Sequence, residues 1–377
     1  MSKTTKTILG LVILIIIVLA IYLGIGKKTT QVEEKPVPKE TVRATVKIGA
    51  ILPLTGGGAM MGDSGRKALL LAKEKLSGTK YNYELIFEDD RLDPGMTASA
   101  INKLVGIDKV DAVISFSSGS GNVISPITQQ NGVIHCGIAS DPNVAKGEFN
   151  FIHWTPPAAE NEVFVRELQK RGIKKLGILR LNQQGIAAVI DDLKNKIKNT
   201  DITIVSDQIF NFGERDFKTL ILKVKNENPD IIMLMAFSPE LEILAKQIKE
   251  LGVTTPLTSI EMFEFSEQMD LFEGQWYVQA ADALESFTST YRAKFGDDYK
   301  PGAPNAYDCF NLIVNAYEKA GTDPSIKPDR LSVINILHNT KNFNGALGVL
   351  NVDQDGIIWS KAVVRMIKNG KPVTIGE

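Results

Sequence analysis

The sequence predicts an α/β protein: two doubly wound parallel-sheet lobes preceded by one membrane-spanning helix. Three observations carry this expectation. An unbroken apolar run lies near the N-terminus, apolar strand-like and amphipathic helix-like segments alternate along the rest of the chain, and that alternation breaks near residues 154–160.

The apolar run, residues 8–25, reads ILGLVILIIIVLAIYLGI and holds no charge. At about 1.5 Å per residue it covers about 27 Å, close to the roughly 30 Å hydrocarbon core. Lys3 and Lys6 precede it and Lys27 and Lys28 follow it, so the flanking positive charge is nearly balanced and does not set orientation by itself. A cleaved secretory signal has a shorter apolar region and a small-x-small cleavage site, of which Tyr22-Leu23-Gly24-Ile25-Gly26 is a weak version. A lipoprotein signal needs a cysteine just after the run, and the first cysteine is Cys136. A buried core helix would show a polar face. An uncleaved signal-anchor fits best, with the cleaved signal as the alternative. The expected order is a tail over 1–7, a transmembrane signal-anchor over 8–26 and a linker over 27–44. The linker holds Pro36, Pro38 and mixed charges, with too little apolar surface to pack. The remainder is expected outside the cytoplasm, held at the cell membrane by a single pass.

Residues 45–377 exceed what one core usually supports, so two domains are expected. The net charge is -1 and no basic block exists beyond the N-terminus, which argues against a nucleic-acid partner. Cys136 and Cys309 are expected as buried free thiols, with a disulfide left open because an extracellular compartment permits one. His135, His153 and His338 share no metal-ligand spacing. Neither a metal nor a cofactor is expected.

Residues 46–51 are an apolar run before Pro53, and 67–76 are helical in composition. Residues 83–87 alternate as a strand and break at Glu88-Asp89-Asp90. Residues 94–105 open on proline and place Ile101, Leu104 and Val105 on one face. Strands follow over 112–116, 134–136 and 149–154. The second series is cleaner: a strand over 176–181, a helix face of Ile186, Ile190, Leu193 and Ile197, a strand over 202–205, and a face of Phe217, Leu220, Ile221 and Val224. Residues 230–237 are almost wholly apolar, as in a buried parallel strand. Leu241, Leu244, Ile248 and Leu251 form the next face, stopped by Gly252, and 257–260 close the series. Three successive βα units argue a doubly wound sheet. After Gly274 the pattern becomes helical over 280–295, 305–320 and 331–337. A strand pair over 348–352 and 357–364 is then joined by the turn Asp353-Gln354-Asp355-Gly356.

Open α/β sheets bind ligands beyond the C-terminal ends of their strands. Those places hold a glycine-rich loop at 53–59, a Ser/Gly loop at 117–122, the loop 137–142, and Glu261. Glycines and serine hydroxyls at 117–122 and Ser140 can meet a carboxylate at a helix N-terminus; the plainer reading of such loops is helix capping. Gly56-Gly57-Gly58 lacks the lysine and Ser/Thr of a phosphate loop, no dinucleotide fingerprint occurs, and Ser64 sits in no nucleophile elbow. These loops supply donors but no base, which argues against an enzyme.

Lys47-Ile48-Gly49-Ala50-Ile51-Leu52-Pro53-Leu54-Thr55-Gly56, followed by Gly62-Asp63 and a helix, resembles the opening of type I periplasmic binding proteins. Within that family the likeness is to the branched-chain amino acid (Leu/Ile/Val) binding proteins of ABC transporters. Glu88-Asp89-Asp90, Asp93-Pro94, Asn102-Lys103-Leu104, Ser117-Ser118, Asp216-Phe217, and Phe343-Asn344-Gly345-Ala346-Leu347-Gly348 with Asp353-Gln354-Asp355-Gly356 support it over residues 45–372.

The resemblance implies two lobes joined by a three-strand hinge, with crossings at 154–155, 278–281 and 341–343. Lobe one is then 45–154 plus 281–341, and lobe two 155–280 plus 342–377. It implies a ligand carboxylate held by Ser117, Ser118, Ala139 and Ser140, an ammonium held by Glu261, and a ligand contact at Phe237 or Ser238. Gln184 stands where the family often has tyrosine, Met61 where an aromatic covers the ligand, and Trp154 where an arginine is frequent. The family's lobe-one disulfide is missing, with Leu92 and Phe116 at its positions. The expected function is capture of a small carboxylate-bearing ligand, an amino acid or relative, by a monomer serving an ABC permease. A membrane-anchored sensor or accessory protein of the same fold is the alternative.

Overall fold

The computed structural model describes residues 3–24 and 42–376. Helix α1, Lys3–Gly24, is long and apolar enough over Thr7–Gly24 to cross a membrane. The last two residues of the expected anchor and most of the linker, 25–41, lie outside the described residues.

The remaining chain folds around two sheets. The first series comprises β1 (Thr45–Leu52), α2 (Ala59–Glu74), β2 (Asn82–Asp89), α3 (Pro94–Lys103), β3 (Ala112–Phe116), α4 (Ser118–Asn131), β4 (Ile134–Ile138) and β5 (Asn150–His153). The second comprises α5 (Pro157–Lys170), β6 (Lys175–Leu181), α6 (Gln184–Ile197), β7 (Thr203–Phe210), α7 (Lys218–Asn226), β8 (Ile231–Met235), α8 (Glu240–Glu250) and β9 (Leu257–Thr258). Strand β10 (Trp276–Ala280) precedes three helices, α9 (Glu285–Phe295), α10 (Ala303–Ala320) and α11 (Arg330–His338). The chain ends in β11 (Phe343–Gly345), β12 (Gly348–Leu350), β13 (Ile357–Ile358), β14 (Ala362–Lys368) and β15 (Lys371–Gly376).

Sheet one runs β2-β1-β3-β4-β5-β13 and is parallel throughout. Sheet two runs β7-β6-β8-β9, also parallel, and a bridge between Ile260 and Val278 carries it on to β10-β14-β15. All five residues of β3 and of β8 are buried, as helices on both faces of a parallel sheet require. Strand order reverses beside β1 in sheet one and beside β6 in sheet two, so each sheet has its own switch point for binding. Gly252 (φ 61°) terminates the helical segment after α8, as its position suggests.

Three expectations are corrected. Cys136 and Cys309 form a disulfide, joining β4 to α10 across a sequence separation of 173 residues, and are not free thiols. β11 packs on α10 and β13 pairs with β5, so residues 343–358 stay with the first lobe and the third crossing falls at 359–361 rather than 341–343. The expected final strand pair shrinks to one antiparallel bridge, Val352 with Ile358, since β12 pairs instead with β11. The turn between them stands: Asp353 Oδ1 accepts from the backbone N–H of Asp355 and of Ile357, both at 2.9 Å.

Candidate ligand-binding site

A cavity of about 50 Å³ lies between the C-terminal ends of the two sheets. It exceeds several-fold the roughly 10–15 Å³ that one water needs. Ser117, Ser118, Ala139, Ser140, Phe237 and Glu261 all line it. Gln184 does not.

The first-sheet wall is built by the loops after β3 and β4. Ser117 stands at φ 82°, ψ 149°, and its Oγ accepts from the Ser120 N–H at 3.2 Å, capping α4. The Ser117 hydroxyl donates to Ser120 Oγ at 3.1 Å, and Ser120 in turn donates to the buried Asp90 at 2.5 Å. Capping therefore accounts for the Ser117 side chain. Ser118 Oγ accepts from the Asp141 N–H at 3.1 Å, which ties the two loops together and leaves its own proton to donate. The acidic run after β2 is scaffold: Asp89 Oδ1 accepts from the Leu54 N–H at 2.9 Å, and Asp90 also accepts from the Thr97 hydroxyl at 3.0 Å.

Opposite stands the N-terminus of α6. Gln183 is its cap, with Oε1 accepting from the Ile186 N–H at 2.9 Å, and Gln183 lines the cavity. Gln184, the first helical residue, is turned to the side and accepts from Asn122 Nδ2 at 2.6 Å. A Cβ on Gly185 would lie 2.8 Å from both Ser118 Oγ and Ser140 Oγ, so only glycine permits this approach of the two walls. Two helix N-termini, of α4 and α6, thus face one space, and their partial positive charges favour an anion there.

Glu261 supplies the second-sheet wall. Its N–H donates to Val278 O at 2.7 Å, its φ is 69°, and its side chain is 4% exposed. Ser117, Glu261, Arg91 and Leu92 all hold positive φ, and each non-glycine residue in such a region costs of order 1–3 kcal/mol. All four border the cavity or the groove outside it.

Trp154 Nε1 donates to Glu261 Oε1. Beside them is Glu160, fully buried in the first turn of α5, with neither carboxyl oxygen hydrogen-bonded among the described residues. Burial, and then the charge of Glu261, hold the Glu160 carboxyl well above the usual carboxylate range. Burial raises Glu261 as well, while Glu160 and the Trp154 N–H act in the opposite direction. Two buried acids side by side resist ionising together, and Glu160 is the one more strongly held in its protonated form.

Phe116, Ile138, Ile186, Val189, Met235, Met262 and Phe265 supply apolar lining, so the polar groups sit at the ends of an apolar space. Phe237 packs edge-on to Phe265 with centroids 5.2 Å apart, and it also borders an outer groove of about 380 Å³. Met61 lines that groove and not the inner cavity. Sequence reasoning missed Glu160 and Gln183. The signal for Glu160 was present: it recurs with Val163, Phe164 and Glu167 at the spacing of a buried helix face.

A cavity closed between two α/β lobes, with donors on one wall and a buried acid on the other, defines a two-lobed binding receptor. The family model for periplasmic binding proteins matches residues 45–371, and the chain belongs to that family. Among curated relatives, the Leu/Ile/Val-binding protein homolog 3 of Brucella melitensis is 24% identical over 335 residues, covering 84% of this chain and 89% of that one. The leucine-, isoleucine-, valine-, threonine- and alanine-binding protein of Pseudomonas aeruginosa is 25% identical over 295 residues, 74% of this chain and 73% of that one. Among solved structures, a leucine-binding protein of Thermotoga maritima superposes with TM-score 0.80 at 24% identity, covering 88% of this chain and 98% of that one. A solute-binding protein of an ABC transporter from Rhodopseudomonas palustris, in complex with benzoate, gives 0.80 at 16% identity, over 88% and 96%.

Proposed function

We propose that the chain is the solute-binding component of an ABC-type importer, anchored by α1 outside the cytoplasm, which closes as a monomer on an amino acid or close relative. The observation that carries this reading is the polarity of the cavity. Ser118, Ser140 and two helix N-termini offer donors for a carboxylate, and Glu261 offers one buried acid for an ammonium across an apolar space. Ala139 would contribute through its backbone and Ser117 by shaping the loop. Phe237 closes the outer side. The relatives named for Leu, Ile and Val support an amino-acid ligand, and the family supports a permease as partner. The family, and loops that offer donors without a base, support binding rather than catalysis. A thermal-shift screen of the full-length protein in detergent, against amino acids, amides and short organic acids, tests it. Stabilisation by α-amino acids supports the reading, and stabilisation by none of them sinks it.

A second reading has its own support. Glu261 already accepts the Trp154 N–H and shares a proton environment with Glu160, so a ligand with a carboxylate and no amine also fits. The benzoate-bound neighbour is of that kind. A sensor with the same site remains the alternative to a transporter subunit; loss of uptake on deleting the gene separates the two.

A further inference from the structure

Trp154 borders two cavities. On one side is the ligand cavity, and on the other a second space of about 40 Å³ at the hinge. No other described residue belongs to both linings. The hinge space takes Ala280 and Ala281 from the second crossing, Asn305 and Leu347 from the first lobe, and Glu264 and Arg365 from the second. The Arg365 guanidinium donates to Glu264 at 2.7 Å, to Asp282 at 2.6 Å and to Ala280 O at 3.1 Å, yet its Nε is buried with no hydrogen-bond partner among the described residues. Such an orphaned buried donor costs free energy that a suitable acceptor would recover.

We propose that Trp154 makes the site selective for ligands with a free amino end, by occupying the space into which a group on the ligand nitrogen would extend. This rests on Glu261 being the ammonium anchor. The indole is only 7% exposed, and its N–H is fixed on Glu261, so the ring stands at the amine end of the ligand. A peptide or N-acylated amino acid must place its next carbonyl where the ring is. Behind the ring, the hinge space offers Gln279, Asn305 and Glu264 as polar groups and Leu347 as an apolar wall for such an extension. Trp154 is the described residue that the two linings share. Wild-type protein takes the free amino acid and turns away its N-terminally extended form. Removing the indole joins the compartments.

The test is calorimetric titration of the full-length protein in detergent with leucine and with glycylleucine, for wild type, Trp154→Ala and Trp154→Leu. Trp154→Leu is included because it fills more of the space if the alanine variant does not fold. Wild type should prefer leucine by at least about 100-fold, and a folded variant should narrow that preference to within about tenfold, with glycylleucine itself binding more tightly than to wild type. An unchanged preference in a variant that still binds leucine overturns the selectivity alone. Loss of both ligands in two cooperatively melting variants also overturns it, because the indole would then be needed by the site rather than dividing it. Failure of wild type to bind leucine or any other α-amino acid removes the amino-acid reading, and this inference with it.

Discussion

Asn122 Nδ2 donates to Gln184 Oε1 at 2.6 Å, joining α4 of the first lobe to α6 of the second across the mouth of the cleft. Asn122 also donates to Asp141 Oδ2 at 2.8 Å, so the latch is continuous with the loop that carries Ser140. The pair is exposed and worth under about 1 kcal/mol. Gln184→Ala should therefore raise the dissociation constant only a few-fold, through a faster off-rate. Gly185→Ala should do more. Its Cβ would meet two hydroxyls at 2.8 Å, and affinity should fall at least about tenfold with the melting temperature of the free protein unchanged. Stopped-flow release rates and calorimetry separate the two effects.

The Glu160–Glu261 pair gives the free protein a defined pH dependence. Burial holds the Glu160 carboxyl of the folded protein well above the usual carboxylate range, and it raises that of Glu261 as well. Above that range the unfolded chain releases protons that the folded chain keeps, so the contribution of this pair to stability is greatest at low pH and falls as pH rises toward the folded-state values. The slope is at most about 1.4 kcal/mol per pH unit for each group. Glu160→Gln should flatten this slope above the usual carboxylate range. Denaturant melts of both proteins above that range would show it; parallel curves would remove the protonated Glu160 from the description.

The disulfide lies away from the cleft, between β4 and α10 in the first lobe. Its closed loop is long, and removing a native disulfide typically costs about 2–5 kcal/mol. Replacing Cys136 and Cys309 together by serine should lower stability on that scale and leave ligand affinity within about twofold, since neither residue lines the cavity. A wild-type melt that does not respond to reductant would count against the bond.

The sheets were legible in the sequence because their strands are apolar on both faces, as β3 and β8 are, and their helices carry one apolar stripe. The late chain was less legible. β13 has two residues and joins sheet one by parallel pairing with β5, a long-range choice that no local pattern encodes. The disulfide likewise depends on α10 folding back onto β4, not on spacing. In the site, Ser118, Ala139, Ser140, Phe237 and Glu261 stand at strand ends and reach the cavity as the topology dictates. Ser117 reaches it too, but its hydroxyl is used by its own helix. Gln183 and Gln184 exchange the expected roles because a cap residue has extended backbone, φ -144° here, and folds its side chain over the first turn. Glu160 lay on a legible helix face, but its partner Glu261 is about a hundred residues on, and only the fold brings the two acids together.

The N-terminal helix carries a separate expectation. Full-length protein should sediment with membranes, and its mature N-terminus should precede residue 8, because Thr7–Gly24 is long enough to span a bilayer. A mature start near residue 27 would mean that the segment is a cleaved signal.

In the proposed mode of binding one ligand spans the cleft, its carboxylate at Ser118 and Ser140 and its ammonium at Glu261. Calorimetry with leucine and with 4-methylpentanoate, which lacks only the amine, reads this directly in wild type and Glu261→Gln. Wild type should bind leucine far more tightly, and the substitution should cost leucine roughly 2–5 kcal/mol, the scale of breaking a buried charge pair, while leaving the simple acid nearly unaffected. Equal binding of the two ligands, unmoved by Glu261→Gln, would contradict the claim and favour a carboxylate without an amine.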